Sequence, residues 1–493
     1  MVVEFDWNKS MKIQRHKAAI RRNGFSLPIK CLFRDGLISP ANSLFDFGCG
    51  HGENVTLLQA QLHSCKGWDP VFFPHQKLIE SDVVNLGYVI NVIEDLDERM
   101  QTLHSAWNLT SKLLVVSARV QVPGRGKQQV EFGDGIITRI GTFQKYYTQA
   151  ELRTYIESTL GVDALPSAIG IFYVFKDEEW KQRYVANRYR RRSTIPRKRL
   201  SELKFEQHRE LLDPLMQRIT DLGRLPHEDE FDSSCEVLEH FGSMKRAFRL
   251  IKRVTGEEDW ENIGKSRTED LLVYLALARF EKRPALKKLP IELQRDIKAF
   301  FRSYKVACQM ADLLLFRAGD PEAIDDACKH SEVGKLLPNA LYVHKSAINT
   351  LEPLLRIFEG CARSYLGEIE DTNIVKLHRF SGKISYLAYP DFDKKPHPEL
   401  IRSVKLSLRT LDLDCYDYSE SKNPPVLHRK ETFLADDHPY HDKFARLTRQ
   451  EEKNGLLEET ATIGTRNGWQ IRLDEFGFKL KGHRLVRKKP ASN

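Results

Sequence analysis

Apolar runs and amphipathic stretches alternate through the first third of the chain. Short apolar runs predict strands at 43–47, 65–68, 82–87, 112–118 and 170–175, and the spacing between them predicts helices at 54–62, 97–110 and 149–157. Within the strand predicted at Lys112–Ala118, residues 113–116 are continuously apolar, as expected for a parallel strand that is buried on both faces. This order predicts a doubly wound, Rossmann-like α/β domain with a mostly parallel sheet.

Helical periodicity dominates the chain from about residue 209. A helix at about 233–241 and a second helix from Ser243 are predicted, and Ser243 is a good N-cap. Further amphipathic helices are predicted over 268–365, and two alternating runs that flank Ser381 and Gly382 predict a hairpin. We therefore expect a mainly α region with small β elements after the N-terminal domain.

The segment 43–52, SLFDFGCGHG, carries the most specific chemical pattern. An apolar run containing Asp46 leads into glycines at 48, 50 and 52, and a helix follows. Glycine permits backbone angles and a close approach to a ligand that a Cβ would forbid. Asp69 comes 17 residues after Gly52, behind a second apolar segment, where a carboxylate can accept both hydroxyls of a ribose. The pattern predicts a nucleotide-type ligand at this turn.

GCGHG differs from the dinucleotide fingerprint in the position of its third glycine, and it resembles the first motif of class I S-adenosylmethionine-dependent methyltransferases. The resemblance implies that Asp46 positions the methionine end of the cofactor and that Asp69 holds the ribose. The implied cofactor-binding residues are Asp46, Gly48, Cys49, Gly50, Gly52, Asp69, Asn85 and Leu86. A doubly wound domain that binds another nucleotide, or no nucleotide, is the alternative.

The segment after Asp69 is short for this fold. Only 12 residues separate Asp69 from Asp82, so one strand-helix unit is shortened or missing, and no adenine contact is assigned there. The next strand, 82–87, would place Asn85 beside the methyl donor, and Asn85 is the leading candidate for holding the acceptor or the methionine amine. Tyr146 and Tyr147 are further candidates for acceptor contact.

Those two tyrosines end a long insertion, residues 119–147, that is rich in glycine and basic residues. Loops at the carboxyl ends of the strands carry substrate contacts in such folds, so the insertion is predicted to bind substrate or gate the site. Surface decoration is the alternative interpretation.

Positive charge is concentrated in a few segments, although the net charge of +9 is modest for 493 residues. Basic residues crowd positions 9–22, 188–199 and 479–489, and the helix from Ser243 has an apolar face of Met244, Ala247, Phe248 and Ile251 opposite a cationic face. Its sequence resembles the small helix-turn-helix repeats found beside homing endonucleases, which would present the cationic face to DNA. The candidate nucleic-acid contacts are Arg190, Arg191, Arg192, Lys245, Arg246, Arg249, Lys252 and Arg253. A solvated linker and an ordinary helical hairpin are the alternatives.

Composition excludes several other classes of protein. No apolar run approaches the ~18 residues that a membrane span needs, and no signal peptide is apparent, so a soluble cytoplasmic protein without a membrane partner is expected. Eight isolated cysteines argue against a zinc ribbon or a disulfide framework. His438 and His441 lie with aspartates in a proline-containing loop, and no metal site is expected there or elsewhere.

Distinctive segments are spread along nearly the whole chain. They are RRNGFSLPIKCLFRDGL, GWDPVFFP, DVVNLGYVINVIED, FGDGIITRIGTFQKYYTQAEL, DLLVYLALARF, GKLLPNALYVHKSAI and KISYLAYPDFDKKPHPEL, together with the glycine turn. These segments together resemble a bacterial methyltransferase family associated with DNA phosphorothioation. The resemblance implies an S-adenosylmethionine-dependent methyltransferase that acts on DNA, with phosphorothioated DNA and proteins of the Dnd-type system as partners. A catalytically inactive DNA-binding or cofactor-sensing protein and an RNA methyltransferase are the alternatives.

The predicted domain organisation follows from these patterns. It consists of a methyltransferase-like domain at 1–182, a basic linker at 183–205, a helix-turn-helix-like DNA-binding segment at 206–260 and a mainly helical domain at 261–493.

Overall fold

The computed structural model describes residues 13–120, 130–197, 203–458 and 460–488. The chain forms two compact units. The first comprises the described residues of Met1–Lys181, Cys361–His378 and Lys383–Asn493, and the second comprises those of Gln182–Gly360 and Arg379–Gly382. The first unit is therefore built from both ends of the chain.

Nine strands precede the first unit boundary in the described part of the chain. They are β1 (Ser43–Phe47), β2 (Ser64–Trp68), β3 (Ser81–Gly87), β4 (Thr110–Ser117), β5 (Val130–Phe132), β6 (Gly135–Ile137), β7 (Phe143–Gln144), β8 (Leu165–Ala168) and β9 (Ile171–Phe175). Six of them form one sheet in the order β2-β1-β3-β4-β9-β8, while β5, β6 and β7 form a separate small sheet. Strands β1 to β4 are parallel and β9 runs antiparallel to β4. The predicted mostly parallel sheet is confirmed, and β8 is an additional strand that the sequence pattern missed.

Helices cover both faces of this sheet. The helices of this part are α1 (Leu27–Arg34), α2 (Glu53–Ala60), α3 (Leu96–Asn108) and α4 (Gln149–Leu160). Phe45, Leu86 and Val116 lie in one buried cluster with Leu103 of α3 and Leu152 of α4. Helix α1 packs against β3 and β4. Because strand side chains alternate between faces, each strand contributes to two apolar layers, as a doubly wound domain requires.

Residues 69–80, between β2 and β3, form no helix, and their only strand-type pairing is a single bridge between Asp69 and Phe73. The short spacing in the sequence correctly indicated that a strand-helix unit is shortened here. The sheet consequently ends at β2 on this side.

The second unit is mainly helical. Its elements, with the two helices that cross its boundaries, are α5 (Glu178–Asn187), α6 (Leu203–Gln207), α7 (Arg209–Leu222), α8 (Ser234–Phe241), α9 (Met244–Thr255), α10 (Glu258–Leu277), α11 (Ile291–Phe301), α12 (Tyr304–Arg317), α13 (Pro321–Lys329), β10 (Lys335–Leu337), β11 (Ala340–His344) and α14 (Pro353–Leu366). Helices α7, α8 and α9 share a buried core that includes Leu215, Val237 and Ile251.

The C-terminal part of the first unit contains more β structure than the sequence predicted. Its elements are β12 (Ile374–His378), β13 (Lys383–Ala388), β14 (Arg402–Ser407), β15 (Leu413–Asp417), α15 (His441–Lys453), α16 (Thr460–Ile463), α17 (Arg466–Glu475), β16 (Phe478–Leu480) and β17 (Leu485–Arg487). Strands β12 to β15 pair in sequence order as an antiparallel sheet. The β12–β13 hairpin confirms the predicted turn, but an extended sheet replaces the expected small β elements. Sequence periodicity does not reveal which strands pair at long range.

No helix among the described residues has the length and apolar content that a membrane crossing would require.

Candidate functional site

The glycine turn joins β1 to α2 at the carboxyl edge of the sheet. Gly48, Gly50 and Gly52 have φ values of +76°, +54° and +82°, in the left-handed region that favours glycine. A Cβ on Gly48 would lie 2.5 Å from Cγ2 of Val89, so a side chain at this position would require Val89 to move. The turn is therefore shaped for a close approach between backbone and neighbouring groups.

Asp46 lies beneath the turn at the centre of a buried polar network. Its side chain is 2 % exposed, and its two carboxylate oxygens accept hydrogen bonds from Asn85 Nδ2 (2.7 Å) and Asn54 Nδ2 (3.1 Å). Asn54 also bonds Ser26, accepting from its backbone N–H at 3.0 Å and donating to its Oγ at 3.1 Å. Burial raises the pKa of Asp46, and the two amide donors oppose that shift.

Asn85 pairs with Asp46 across β1 and β3 and is 1 % exposed. Within the described part of the chain, its Oδ1 is buried and has no hydrogen-bond partner. A buried acceptor that lacks a donor is costly, so this oxygen is suited to receive an N–H or O–H group from a ligand. The structure thus brings the predicted residues Asp46 and Asn85 together and leaves one polar atom available.

The side chain of Leu86 does not face this network. It is fully buried in the opposite apolar layer with Phe47 and Val84, because adjacent strand residues point to opposite faces. Strand β3 ends at Gly87, as the sequence predicted. The side chain of Leu86 therefore cannot contact a ligand at the turn, and a contact through its backbone stays a prediction.

Asp69 follows β2 and closes the turn. Its Oδ2 accepts the backbone N–H of Gly50 at 3.1 Å, and its Oδ1 accepts those of Val71 and Phe72 at 2.9 Å each. A carboxylate has about four acceptor sites, so Oδ2 retains capacity for one further donor. One acceptor position of the carboxylate therefore remains for a ligand, and the prediction that Asp69 holds a ribose stays a prediction.

Cys49 packs inside the turn. Its backbone N–H donates to the carbonyl of Trp68 at 3.0 Å, and its Sγ would lie 3.1 Å from a Cβ built on Gly67. Burial raises the pKa of the Cys49 thiol to about 12. The thiol is therefore protonated at neutral pH and fills space beside the loop without offering a thiolate.

Two residues that sequence reasoning missed lie near this network. Tyr88, immediately after β3, has a positive φ of +61° although it is not glycine, and its N–H donates to Ser117. Such backbone strain is concentrated at functional sites. Burial raises the pKa of both Asp46 and Tyr88, and the positive charge of Arg22 opposes the shift of each. A lone tyrosine and one arginine in a basic run gave no distinctive sequence signal.

The insertion at 119–147 is described at residues 119–120 and from residue 130, where it forms the small sheet β5-β6-β7. Arg99 of α3 anchors it, since its buried guanidinium forms two bonds to the Asp134 carboxylate, at 2.7 and 3.1 Å. Arg99 also holds the pKa of Asp134 below its usual range. The Arg99–Asp134 pair therefore holds this part of the insertion against α3. The role of the insertion in binding substrate stays a prediction.

The two tyrosines at the end of the insertion differ in accessibility. Tyr146 is exposed, whereas Tyr147 is 2 % exposed, packs in the core below the sheet and accepts a 3.4 Å hydrogen bond from Arg99. Tyr147 is therefore too deeply buried to contact a methyl acceptor, which corrects its prediction as an acceptor contact. Adjacent aromatic residues in the sequence do not reveal which one turns inward.

The arginine block divides into partly buried and exposed members. Arg191 bonds Asp270 at 2.6 Å and Glu269 at 2.9 Å, and Arg190 is half-buried and donates to the carbonyl of Asp221. Only Arg192 of the three is exposed. Arg191 is thus held in an internal ion-pair network, which corrects its assignment as a phosphate contact, and Lys198 and Arg199 lie outside the described residues.

Helix α9 has the two faces that the sequence predicted. Met244, Ala247 and Ile251 are buried, and the Ser243 side chain caps the helix by accepting the N–H of Arg246 at 3.2 Å. On the other side Lys245, Arg246, Arg249 and Arg253 are exposed. Lys252 is half-buried and pairs with Glu257 at 2.7 Å, so it is a weaker candidate for phosphate contact.

No family model matches the sequence, and no curated protein matches it. Three solved structures to which the chain is similar are all methyltransferases. The first is 1,6-didemethyltoxoflavin-N1-methyltransferase from Burkholderia thailandensis, with 12 % identity over 34 % of this chain and 79 % of that chain and a TM-score of 0.24. The second is an amino pentose methyltransferase from Micromonospora echinaspora, with 14 % identity over 33 % of this chain and 97 % of that chain and a TM-score of 0.25. The third is magnesium protoporphyrin IX methyltransferase from Synechocystis PCC 6803, with 13 % identity over 33 % of this chain and 92 % of that chain and a TM-score of 0.21. Each match covers about a third of this chain.

Proposed function

We propose that the first unit binds S-adenosylmethionine at the carboxyl edge of its parallel strands and transfers the methyl group of this cofactor. The observation that carries the proposal is the convergence of three features at one edge: the left-handed glycine turn, the buried Asp46–Asn85 pair and the Asp69 carboxylate. Ligands bind at this edge in open α/β sheets.

The chemistry of these groups fits the two ends of the cofactor. The methionine end carries an ammonium group, and a buried carboxylate whose pKa is raised by burial is stabilised in its charged form by a nearby cation. Asn85 Oδ1 offers a free acceptor to the same ammonium. The remaining capacity of Asp69 Oδ2 suits one ribose hydroxyl.

The bound cofactor supplies a methyl group that is already activated by its sulfonium. The protein then has to align the acceptor and exclude water, and it needs little acid-base chemistry. Asn85 would position the donor, and Tyr146 is the remaining aromatic candidate for contact with the acceptor.

We further propose that the acceptor is DNA and that the protein acts with a DNA phosphorothioation system. The exposed cationic face of α9 and the sequence resemblance to the phosphorothioation-associated family support this assignment. We expect transfer of labelled methyl groups from S-adenosylmethionine to DNA, measured on duplexes with and without phosphorothioate linkages and on RNA of matched sequence.

The outcomes separate the candidate functions. Label in DNA supports the proposal, and label in RNA alone would reassign the acceptor. Cofactor binding by calorimetry without transfer to either nucleic acid would indicate a cofactor-sensing or scaffold protein, and the absence of cofactor binding would overturn the proposal.

The role of α9 can be tested through the salt dependence of DNA binding. Replacing Lys245 and Arg249 with alanine should weaken binding, and each phosphate that the variant no longer neutralises should make the slope of log K against log salt shallower by about 0.9. The matched control replaces the exposed Lys287 and Lys288 of the same unit, which removes the same charge from another element. Equal slopes of log K against log salt for the two double variants would show that DNA binding depends on net charge and not on the position of α9.

A further inference from the structure

A group of metal-ligand side chains lies in the C-terminal part of the first unit, and their spacing in the sequence matches no metal-binding motif. His397, His428 and Glu451 each offer one ligand atom, and these atoms lie within 4.8 Å of one another. His397 and His428 belong to connecting segments on either side of β14 and β15, and Glu451 belongs to α15. The three side chains therefore join segments that are far apart in the sequence.

The hydrogen bonds of the two imidazoles select their tautomers. His397 Nδ1 lies 3.2 Å from the carbonyl oxygen of Leu427, and His428 Nε2 lies 2.8 Å from that of Ile463. A carbonyl only accepts, so each of these nitrogens carries the proton. In a neutral ring the other nitrogen then has the lone pair. Metal-binding histidines commonly donate their second ring N–H to a backbone carbonyl in this way.

Glu451 faces His397 with one oxygen and leaves the other unsatisfied. Its side chain is 1 % exposed, and its Oε1 lies 2.7 Å from His397 Nε2, the nitrogen with the lone pair. Its Oε2 is also buried and has no hydrogen-bond partner within the described residues. A buried carboxylate in this state is costly unless a cation is paired with it.

Lys430, a buried cation near this cluster, is occupied by other groups. Its Nζ lies 2.5 Å from the carbonyl of Phe392, 2.7 Å from that of Lys395 and 3.3 Å from His483 Nε2. An ammonium has three N–H donors, and these contacts account for all of them. Lys430 therefore does not serve as the hydrogen-bonded counter-ion of Glu451.

The imidazole rings are also held in place by packing. The ring centroids of His397 and His428 are 4.4 Å apart, and each lies 4.6 Å from the ring of Trp469. Preorganised ligands lose little side-chain freedom when an ion binds. The site has two nitrogen ligands and one oxygen ligand, a set that suits zinc and related first-row divalent ions.

We propose that His397, His428 and Glu451 bind a divalent transition-metal ion of the zinc class, which ties α15 to the segments around residues 397 and 428. This inference is independent of methyl transfer. The competing arrangement is a metal-free network in which a protonated Glu451 donates to His397.

The test uses the full chain, purified without a polyhistidine tag, stripped with a chelator and titrated with Zn²⁺ and, separately, Co²⁺. We expect about one bound Zn²⁺ per chain, a rise of several degrees in melting temperature on its addition, and a Co²⁺ spectrum of nitrogen and oxygen ligation. Glu451→Gln and His428→Asn should each weaken Zn²⁺ binding by more than the roughly 10–100-fold that loss of an outer-shell partner costs.

The matched control is a His438→Ala, His441→Ala double variant, which removes two nearby histidines outside the cluster. It should bind Zn²⁺ as the wild type does. The proposal is overturned if stripped protein binds no Zn²⁺, if Glu451→Gln and His428→Asn both bind with wild-type affinity, or if only the control variant loses binding. All of these measurements are made without S-adenosylmethionine. A negative result would therefore overturn the metal-site proposal and leave the methyltransferase proposal untouched.

Discussion

Replacement of Asp69 with alanine is expected to weaken the binding of S-adenosylmethionine by about 10- to 100-fold. The substitution removes the carboxylate proposed to accept a ribose hydroxyl, and a hydrogen bond to a charged group contributes about 1.5–3 kcal/mol. It also releases the backbone N–H of Gly50, which Asp69 Oδ2 holds at 3.1 Å in the glycine turn. Titration calorimetry of wild-type and variant protein at one fixed salt concentration measures the effect.

Asp82→Ala is the matched control for this experiment. Asp82 is near the start of β3, where it accepts the backbone N–H of Ser43 at 3.0 Å and pairs with Lys112 at 3.0 Å. Its loss removes a comparable set of contacts at the opposite edge of the sheet and should leave cofactor affinity unchanged. Equal affinity of wild type and Asp69→Ala would refute the ribose role, and equal weakening by both substitutions would trace the effect to stability.

The strand-turn-helix at the cofactor edge could be predicted from the sequence because it is local. The apolar run, the glycine spacing and the helix that follows lie within about twenty residues, and the backbone adopts the positive φ values that those glycines favour. The Ser243 cap was predictable for the same reason, since its hydrogen bond to the Arg246 N–H spans only three positions.

The buried partners of Asn54 and Arg191 could not be predicted in this way. Asn54 bonds Ser26, which is 28 positions away, and Arg191 bonds Asp270, which is 79 positions away. Such partners are set by tertiary packing and not by periodicity. A run of arginines has the composition of an exposed segment, and nothing in its local sequence identifies the member that turns inward.

The proposed metal ligands illustrate the same limit. His397, His428 and Glu451 have no motif-like spacing, and the sequence directed attention to His438 and His441 because those two are close along the chain. The antiparallel pairing of β12 to β15 and the fold of the following segments determine which histidines approach each other. Ligand spacing identifies metal sites only when a short loop or one helix holds the ligands.

Asp270→Asn is expected to destabilise the second unit by about 3–5 kcal/mol, because it leaves the buried Arg356 guanidinium without its hydrogen-bonded carboxylate and removes one of the two carboxylates that pair with Arg191. Asp270 is 3 % exposed, and its carboxylate bonds Arg191 Nε at 2.6 Å and Arg356 Nη1 at 2.9 Å. Burial lowers the pKa of Arg356, and the charge of Asp270 opposes that shift. Thermal and denaturant unfolding, followed for the transition of this unit, measure the loss.

Glu269→Gln is the appropriate comparison, because Glu269 bonds the same Arg191 guanidinium at 2.9 Å from a more exposed position. A partly exposed ion pair contributes about 0–1 kcal/mol, so this variant should unfold close to the wild type. Arg192→Ala, at an exposed neighbour, should likewise leave stability unchanged and reduce only phosphate binding. A small loss of stability in Asp270→Asn would contradict the buried ion-pair network. A large loss of DNA binding in a stably folded Arg191→Ala protein would show that Arg191 contacts nucleic acid.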